Sequence, residues 1–175
     1  MIAGAFRPRP TPTTGVVTLR HANGLDASRV LAWNGAPEVR ARSMDPRPIT
    51  TEAHARWFAA RLRDPRGGLW IAQLDGCPIG VVRVDRDDHD VDSPGRISIV
   101  LDPSVRGRGL GRQVIALACA ADGGPVVADI LADNHASRTS FEAAGFVQVP
   151  SPSSPAPASS RAALRYLWRP LRVHL

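Results

Sequence analysis

The chain predicts a three-layer α/β/α fold built on one central mixed sheet. Two observations carry that expectation. β-Branched and aromatic runs alternate with helical stripes, and the series ends in a hairpin-like pair, Phe146-Val147-Gln148-Val149 and Leu164-Arg165-Tyr166-Leu167-Trp168. Between Ile97 and Arg112 a strand runs through a glycine-rich turn straight into a helix. A length of 175 residues suits one domain with a proper core.

Each element has its own sequence signal. Residues 1–15, rich in Pro and Thr, read as a flexible tail, and residues 16–170 as a single domain. Val16 to Arg20 is the first strand. Leu25 to Trp33 is a short amphipathic helix with Leu25, Val30, Leu31 and Trp33 as its apolar members, broken at Gly35-Ala36-Pro37. Glu38 to Ser43 adds a further turn. Thr50 and Glu52 mark a helix start, and the helix reaches about Arg63 with Trp57, Phe58 and Leu62 inward and His54 solvated. Gly68 to Leu74 and Ile79 to Val84 are strands joined by Asp75-Gly76. The carboxylates of Asp85 to Asp90 read as solvated loop charge, so no metal is expected.

Downstream, Ile97 to Leu101 is a strand, and Leu110, Val114, Ile115, Leu117, Ala118 and Ala121 form the stripe of a helix. Cys119 packs there as a small hydrophobe. Val126 to Leu131 is a strand, and Asn134 to Ala144 is a helix stopped by Gly145. Residues 150–160 form a Pro/Ser-rich loop before the last strand.

Composition narrows the function. No apolar run approaches the roughly 20 residues of a membrane span, and no signal-peptide core is present, so the expected setting is cytoplasmic, without a membrane. Cys77 and Cys119 have no Cys-x-x-Cys spacing, which speaks against zinc and against a disulfide framework. Net charge is +6 and every basic residue is arginine, which favours anionic partners such as nucleic acid, coenzyme A or a nucleotide sugar. With 4 Trp, 4 Phe and 1 Tyr there is no platform for stacking bases, so nucleic acid is not an expected partner.

Gly107, Gly109 and Gly111 permit backbone angles closed to other residues and leave no side chain over the amides. Free N–H groups at a helix start make an anion site, to which Arg106, Arg108 and Arg112 add charge. A Walker loop is excluded because the chain has no lysine. A Rossmann fingerprint is excluded because Gly107-x-Gly109-x-Gly111 has the wrong spacing.

Arg106-Gly107-Arg108-Gly109-Leu110-Gly111 resembles the Arg/Gln-x-x-Gly-x-Gly/Ala signature of the GNAT N-acetyltransferases, and the order of elements from 16 to 170 is similar to theirs. The resemblance implies a GNAT-like sheet and acetyl-CoA as cosubstrate. It assigns cofactor contacts to Ile99, Val100, Leu101, the loop Arg106-Gly107-Arg108-Gly109-Leu110-Gly111-Arg112, Asn134 and Ser137. It places a catalytic base at Asp129, with Ser98 or a water as alternatives, while pairing of Asp129 with an arginine stays equally open. Phe141 stands where many members have a Tyr acid, which leaves bare thiolate departure or a donor from elsewhere, such as Tyr166.

Upstream, Trp33, Pro37-Glu38-Val39-Arg40, Ile49 to Phe58, Pro78 to Arg83 and Asn134 to Ser137 resemble acetyltransferases of pseudaminic and sialic-acid-like sugar pathways. That resemblance implies a UDP-linked amino-deoxy sugar as acceptor; the family's Trp-Arg-Asn is here Trp33-Asn34-Gly35. The alternatives are a protein N-terminal or small-amine acetyltransferase, or a non-catalytic CoA-binding module. A monomer or homodimer is expected.

Overall fold

The computed structural model describes residues 15–87, 90, 93–150 and 161–170. Apart from residues 15 and 150, the expected tail and the Pro/Ser-rich loop lie outside them. The elements are β1 (Val17–His21), α1 (Ala27–Gly35), α2 (Pro37–Ala41), α3 (Thr51–Arg63), β2 (Gly68–Leu74), β3 (Cys77–Asp85), β4 (Gly95–Leu101), α4 (Leu110–Asp122), β5 (Val126–Leu131), α5 (His135–Ala143), β6 (Val147–Val149) and β7 (Ala163–Trp168). The strands form one mixed sheet in the order β1-β2-β3-β4-β5-β7-β6. Only β4 and β5 run parallel, and α4 is the crossover that parallel pairing requires.

Strand alternation divides the apolar residues between two cores. Trp70, Val82, Val84, Val114, Ile115 and Tyr166 share the α4 face. Val30, Trp33, Phe58, Leu69, Ile71 and Val81 share the face covered by α1 and α3. Both faces of β2 and β3 are therefore buried, which explains their near-continuous apolar runs. Asp75 and Gly76 both have positive φ, 49° and 80°, as the tight hairpin requires.

Four expectations about individual residues change. Leu25 is 92% exposed, because it falls in a short 3-10 turn at Gly24–Asp26 and not in α1. That turn is closed by Asn23 and Asp26, and Arg20 holds the Asp26 carboxyl at 2.7 Å and below the usual carboxylate range. Leu62 is exposed, and His54 is buried; the inward stripe of α3 is His54 and Phe58, four residues apart. Burial of His54 is satisfied, since its Nε2–H donates to the Ala27 carbonyl at 2.8 Å. Leu117 is exposed, whereas Cys119 is fully buried as expected.

Candidate active site

β4 and β5 pair only at Gly95–Val126 and Arg96–Val127. Beyond that point they diverge, so main-chain groups of β4 face a gap. Parity identifies which ones, because alternate residues of a strand direct both N–H and C=O to the same neighbour. Gly95 N–H reaches Pro125 O beside β5 at 2.9 Å, and Asp102 N–H reaches Ile79 O on β3 at 2.8 Å. Ile99 and Leu101 thus turn their amides to the gap. Val100 turns its own to β3 and packs its side chain against the α1/α3 core. The Leu101 carbonyl accepts Arg106 Nε at 2.9 Å.

The glycine turn follows directly. Asp102 accepts Ser104 N–H at 3.0 Å and its hydroxyl at 2.6 Å, and it accepts the Trp33 indole at 3.0 Å. These bonds, the Ser104 hydroxyl first, hold its carboxyl down to about 2. Gly107 and Gly109 each have φ of 75°. Gly111 does not: it lies within α4, where an added Cβ would stand 3.2 Å from Ser140 Oγ. Its glycine serves the close approach of α5, a role that spacing alone did not separate from the others. No side chain caps α4 at Gly109, so the first-turn amides remain donors at the positive end of a 13-residue helix. Arg106 lines the cavity beside this turn, while Arg108 and Arg112 are exposed.

Asn134 caps α5, its Oδ1 accepting Ser137 N–H at 3.3 Å. Phe141 is buried and meets Phe146 edge-on at 5.0 Å. Tyr166 is fully buried, its hydroxyl donating to Glu142 at 2.9 Å and accepting Arg138 Nε at 3.1 Å. Tyr166 is therefore spent on Glu142 and Arg138 and is not among the residues that line the cavity.

Asp129 is held between two arginines. Its Oδ1 accepts Arg165 Nε at 2.8 Å and its Oδ2 accepts Arg165 Nη2 at 3.1 Å and also Arg96 Nη1. The arginine pairing left open for Asp129 is present. Ser98 is half-buried on the same face, opposite Arg83 in register. Arg83, Arg96 and Arg165 stand on the same face and had no site role among the sequence-based expectations. The available signal was polar residues two apart on otherwise apolar strands, Arg83/Asp85 and Arg96/Ser98.

One cavity of about 1380 Å³ joins these parts, with Gly107, Gly109 and Ser137 at one end and Arg83, Arg96 and Ser98 at the other. Among the described residues no group of three or more His, Cys, Asp or Glu could hold a metal, and no helix is long and apolar enough to cross a membrane.

The family profile "Acetyltransferase (GNAT) domain" matches residues 17–147. A spermidine N-acetyltransferase from Vibrio cholerae, solved with CoA and spermine, is similar in fold, with TM-score 0.74, 15% identity, and coverage of 87% of this chain and 95% of that one. An aminoglycoside acetyltransferase solved with coenzyme A gives 0.70 at 18% identity, covering 88% and 95%. A Salmonella typhimurium protein solved with its cofactor acetyl-CoA gives 0.67 at 21% identity, covering 87% and 93%. No curated protein matches the chain.

Proposed function

From the premise that this chain belongs to the GNAT acetyltransferase family, we propose that it carries the acetyl group of acetyl-CoA to the primary amine of a nucleotide-linked amino-deoxy sugar. The observation that carries this reading is the continuity of the cavity through the sheet. One end offers uncapped amides to a pyrophosphate, and the other offers arginines to a second anionic molecule.

The residues fit a bound coenzyme. The amides of Leu110 and Gly111, with Arg106, suit a pyrophosphate, and the φ of 75° at Gly109 aims them without an intervening Cβ. Main-chain groups of Ile99 and Leu101 suit the amides of a pantetheine arm. Ile99 N–H is the donor placed to polarise a carbonyl in the gap. Asn134 and Ser137 face the same end of the cavity. The coenzyme supplies an activated acyl thioester.

The amine must lose a proton before it attacks. Three of the roughly four acceptor positions of the Asp129 carboxylate are already taken by guanidiniums. Asp129 therefore orients arginines, and Ser98 or solvent water takes the proton. Phe141 supplies no acid, so the thiolate leaves unprotonated.

A small cationic amine is the second reading, because solved relatives are complexed with spermine and kanamycin and because Glu38, Asp45 and Asp85 line the cavity. Those carboxylates already face arginines: Arg106 at 3.6 Å, Arg47 at 2.6 Å and Arg83 at 2.8 Å. That arrangement favours the anionic acceptor. Thiol release from acetyl-CoA, measured with UDP-amino sugars, peptides and polyamines, tests the choice. Turnover with the UDP-linked amines is expected. Turnover with polyamines or peptides alone overturns the acceptor, and acetyl-CoA binding without any turnover overturns the transferase.

A further inference from the structure

On the sheet face opposite α4, four neighbouring strands carry charged residues in one row. Asp85 on β3 lies opposite Arg96 on β4, and Asp129 on β5 lies opposite Arg165 on β7. One step along, Arg83 lies opposite Ser98. Arg96 and Arg165 share Asp129. Arg61 of α3 and Arg83 share Asp85, at 3.1 and 2.8 Å. Four guanidiniums thus stand over two carboxylates, an excess of two positive charges. Arg61 also reaches Asp64 at 3.4 Å, but Arg66 already neutralises that residue.

Two of the four arginines, Arg83 and Arg96, line the cavity. Arg83 is fixed in place by the Trp57 ring, 5.0 Å beneath its guanidinium. Its Nε is buried, and although Asp85 Oδ2 is 2.8 Å away the N–H is not directed at it. Arg96 is the most exposed of the row, with 56% of its side chain accessible.

We infer that Arg83 and Arg96 determine acceptor specificity by binding an oxyanion, phosphate or carboxylate, carried by the same molecule as the amine. The inference rests on the acetyl-transfer reading above and deepens it. Arg96 lies about 7–10 Å along β4 from Ser98 and Ile99, at about 3.3 Å per residue, while Arg83 stands directly across from Ser98. The pair therefore accommodates an oxyanion on the acceptor near the amine or one sugar ring away from it.

Matched acceptor pairs test this and separate the two anions. A UDP-linked amino sugar is compared with the free amino sugar, and lysine with cadaverine, which is lysine without its carboxylate. In the wild type, one anionic member is expected to have a KM at least tenfold below its partner's. Arg83→Gln and Arg96→Gln should raise that KM at least tenfold, with kcat within twofold and CoA affinity unchanged. Arg83→Lys and Arg96→Lys, which keep the charge beside Asp85 and Asp129, should retain most of the effect and serve if a glutamine variant does not fold. Equal KM values within both pairs, or variants that affect both members alike, overturn the inference while leaving acetyl transfer intact. A second readout does not need turnover: UDP and lysine are titrated by calorimetry into protein saturated with CoA, which occupies the glycine turn. Binding of either that is lost in Arg83→Gln upholds the anion site even if no amine is acetylated. Binding of neither overturns it.

Discussion

Trp33 Nε1 donates to Asp102 Oδ2 at 3.0 Å across 69 residues of sequence. The bond ties α1, whose Asn34 lines the cavity, to the residue where β4 becomes the glycine turn. Asp102 in turn positions Ser104. Removing the indole should therefore be felt in both stability and cofactor affinity.

Trp33→Phe removes a hydrogen bond to an ionised carboxylate, worth about 1.5–3 kcal/mol. Asp102 has a folded value of about 2 against 3.8. Its stabilising contribution is present above about pH 4 and is lost as pH falls through about 2. The stability gap between wild type and Trp33→Phe should narrow over that window, measured by urea melts from pH 5 to pH 2. A gap independent of pH would mean that the indole acts by packing alone.

Asp129→Asn should lower stability by about 3 kcal/mol, because Arg96 and Arg165 lose a nearly buried counter-charge. The alkaline rise of kcat/KM should keep its shape, since Ser98 or solvent water takes the proton. If the rise flattens while stability holds, Asp129 is the base after all.

Gly109 and Gly111 should fail differently. At Gly109 a Cβ meets nothing within 4 Å, so Gly109→Val pays only for a β-branched residue at φ of 75°. Its main effect should be loss of acetyl-CoA affinity in a folded protein. Gly111→Val presses on Ser140 and should lower the melting temperature as well. Calorimetry beside thermal melts separates the two; equal effects at both positions would contradict these roles.

Phe141→Tyr tests departure of the bare thiolate. A coenzyme thiol with pKa about 8.5 leaves as thiolate at pH 7.5 for about 1.4 kcal/mol, so restoring an acid should change kcat by no more than about tenfold. Tyr166→Phe should leave kcat unchanged and lower stability, since its hydroxyl joins Glu142 to Arg138. Loss of turnover in a stable Tyr166→Phe protein would restore Tyr166 as the acid.

The two cysteines should separate cleanly. Burial pushes the Cys119 thiol up to about 12, while Cys77 is exposed. One thiol should react with a disulfide reagent in the native protein and two after denaturation. Two fast-reacting thiols in the native state would show that α4 opens.

Local chemistry by itself determined much of this protein. The Asp75-Gly76 hairpin, the Thr50 cap and the Gly145 stop are short-range signals, in which a few neighbouring residues set the backbone. The Arg106-to-Gly111 spacing likewise marks the glycine turn, proposed above to hold the coenzyme, because amides in one turn need no distant partner to converge. Periodicity was less reliable where it stood alone. Leu25 and Leu62 fit a helical stripe yet face solvent, and His54 is buried because α1 brings the Ala27 carbonyl to it. Only the tertiary structure could separate Gly111 from Gly109, since the reason is Ser140 on another helix. It also turned Val100 away from the gap, buried Tyr166 and placed Asp129 between Arg96 and Arg165. Each of those outcomes depends on which strand lies alongside, and sheet order joins residues from β3 to β7 that no sequence window contains together. The arginine row is the plainest case: nothing in the separate sequences of β3, β4, β5 and β7 joins Arg83, Arg96 and Arg165, and only the pairing of those strands makes them neighbours.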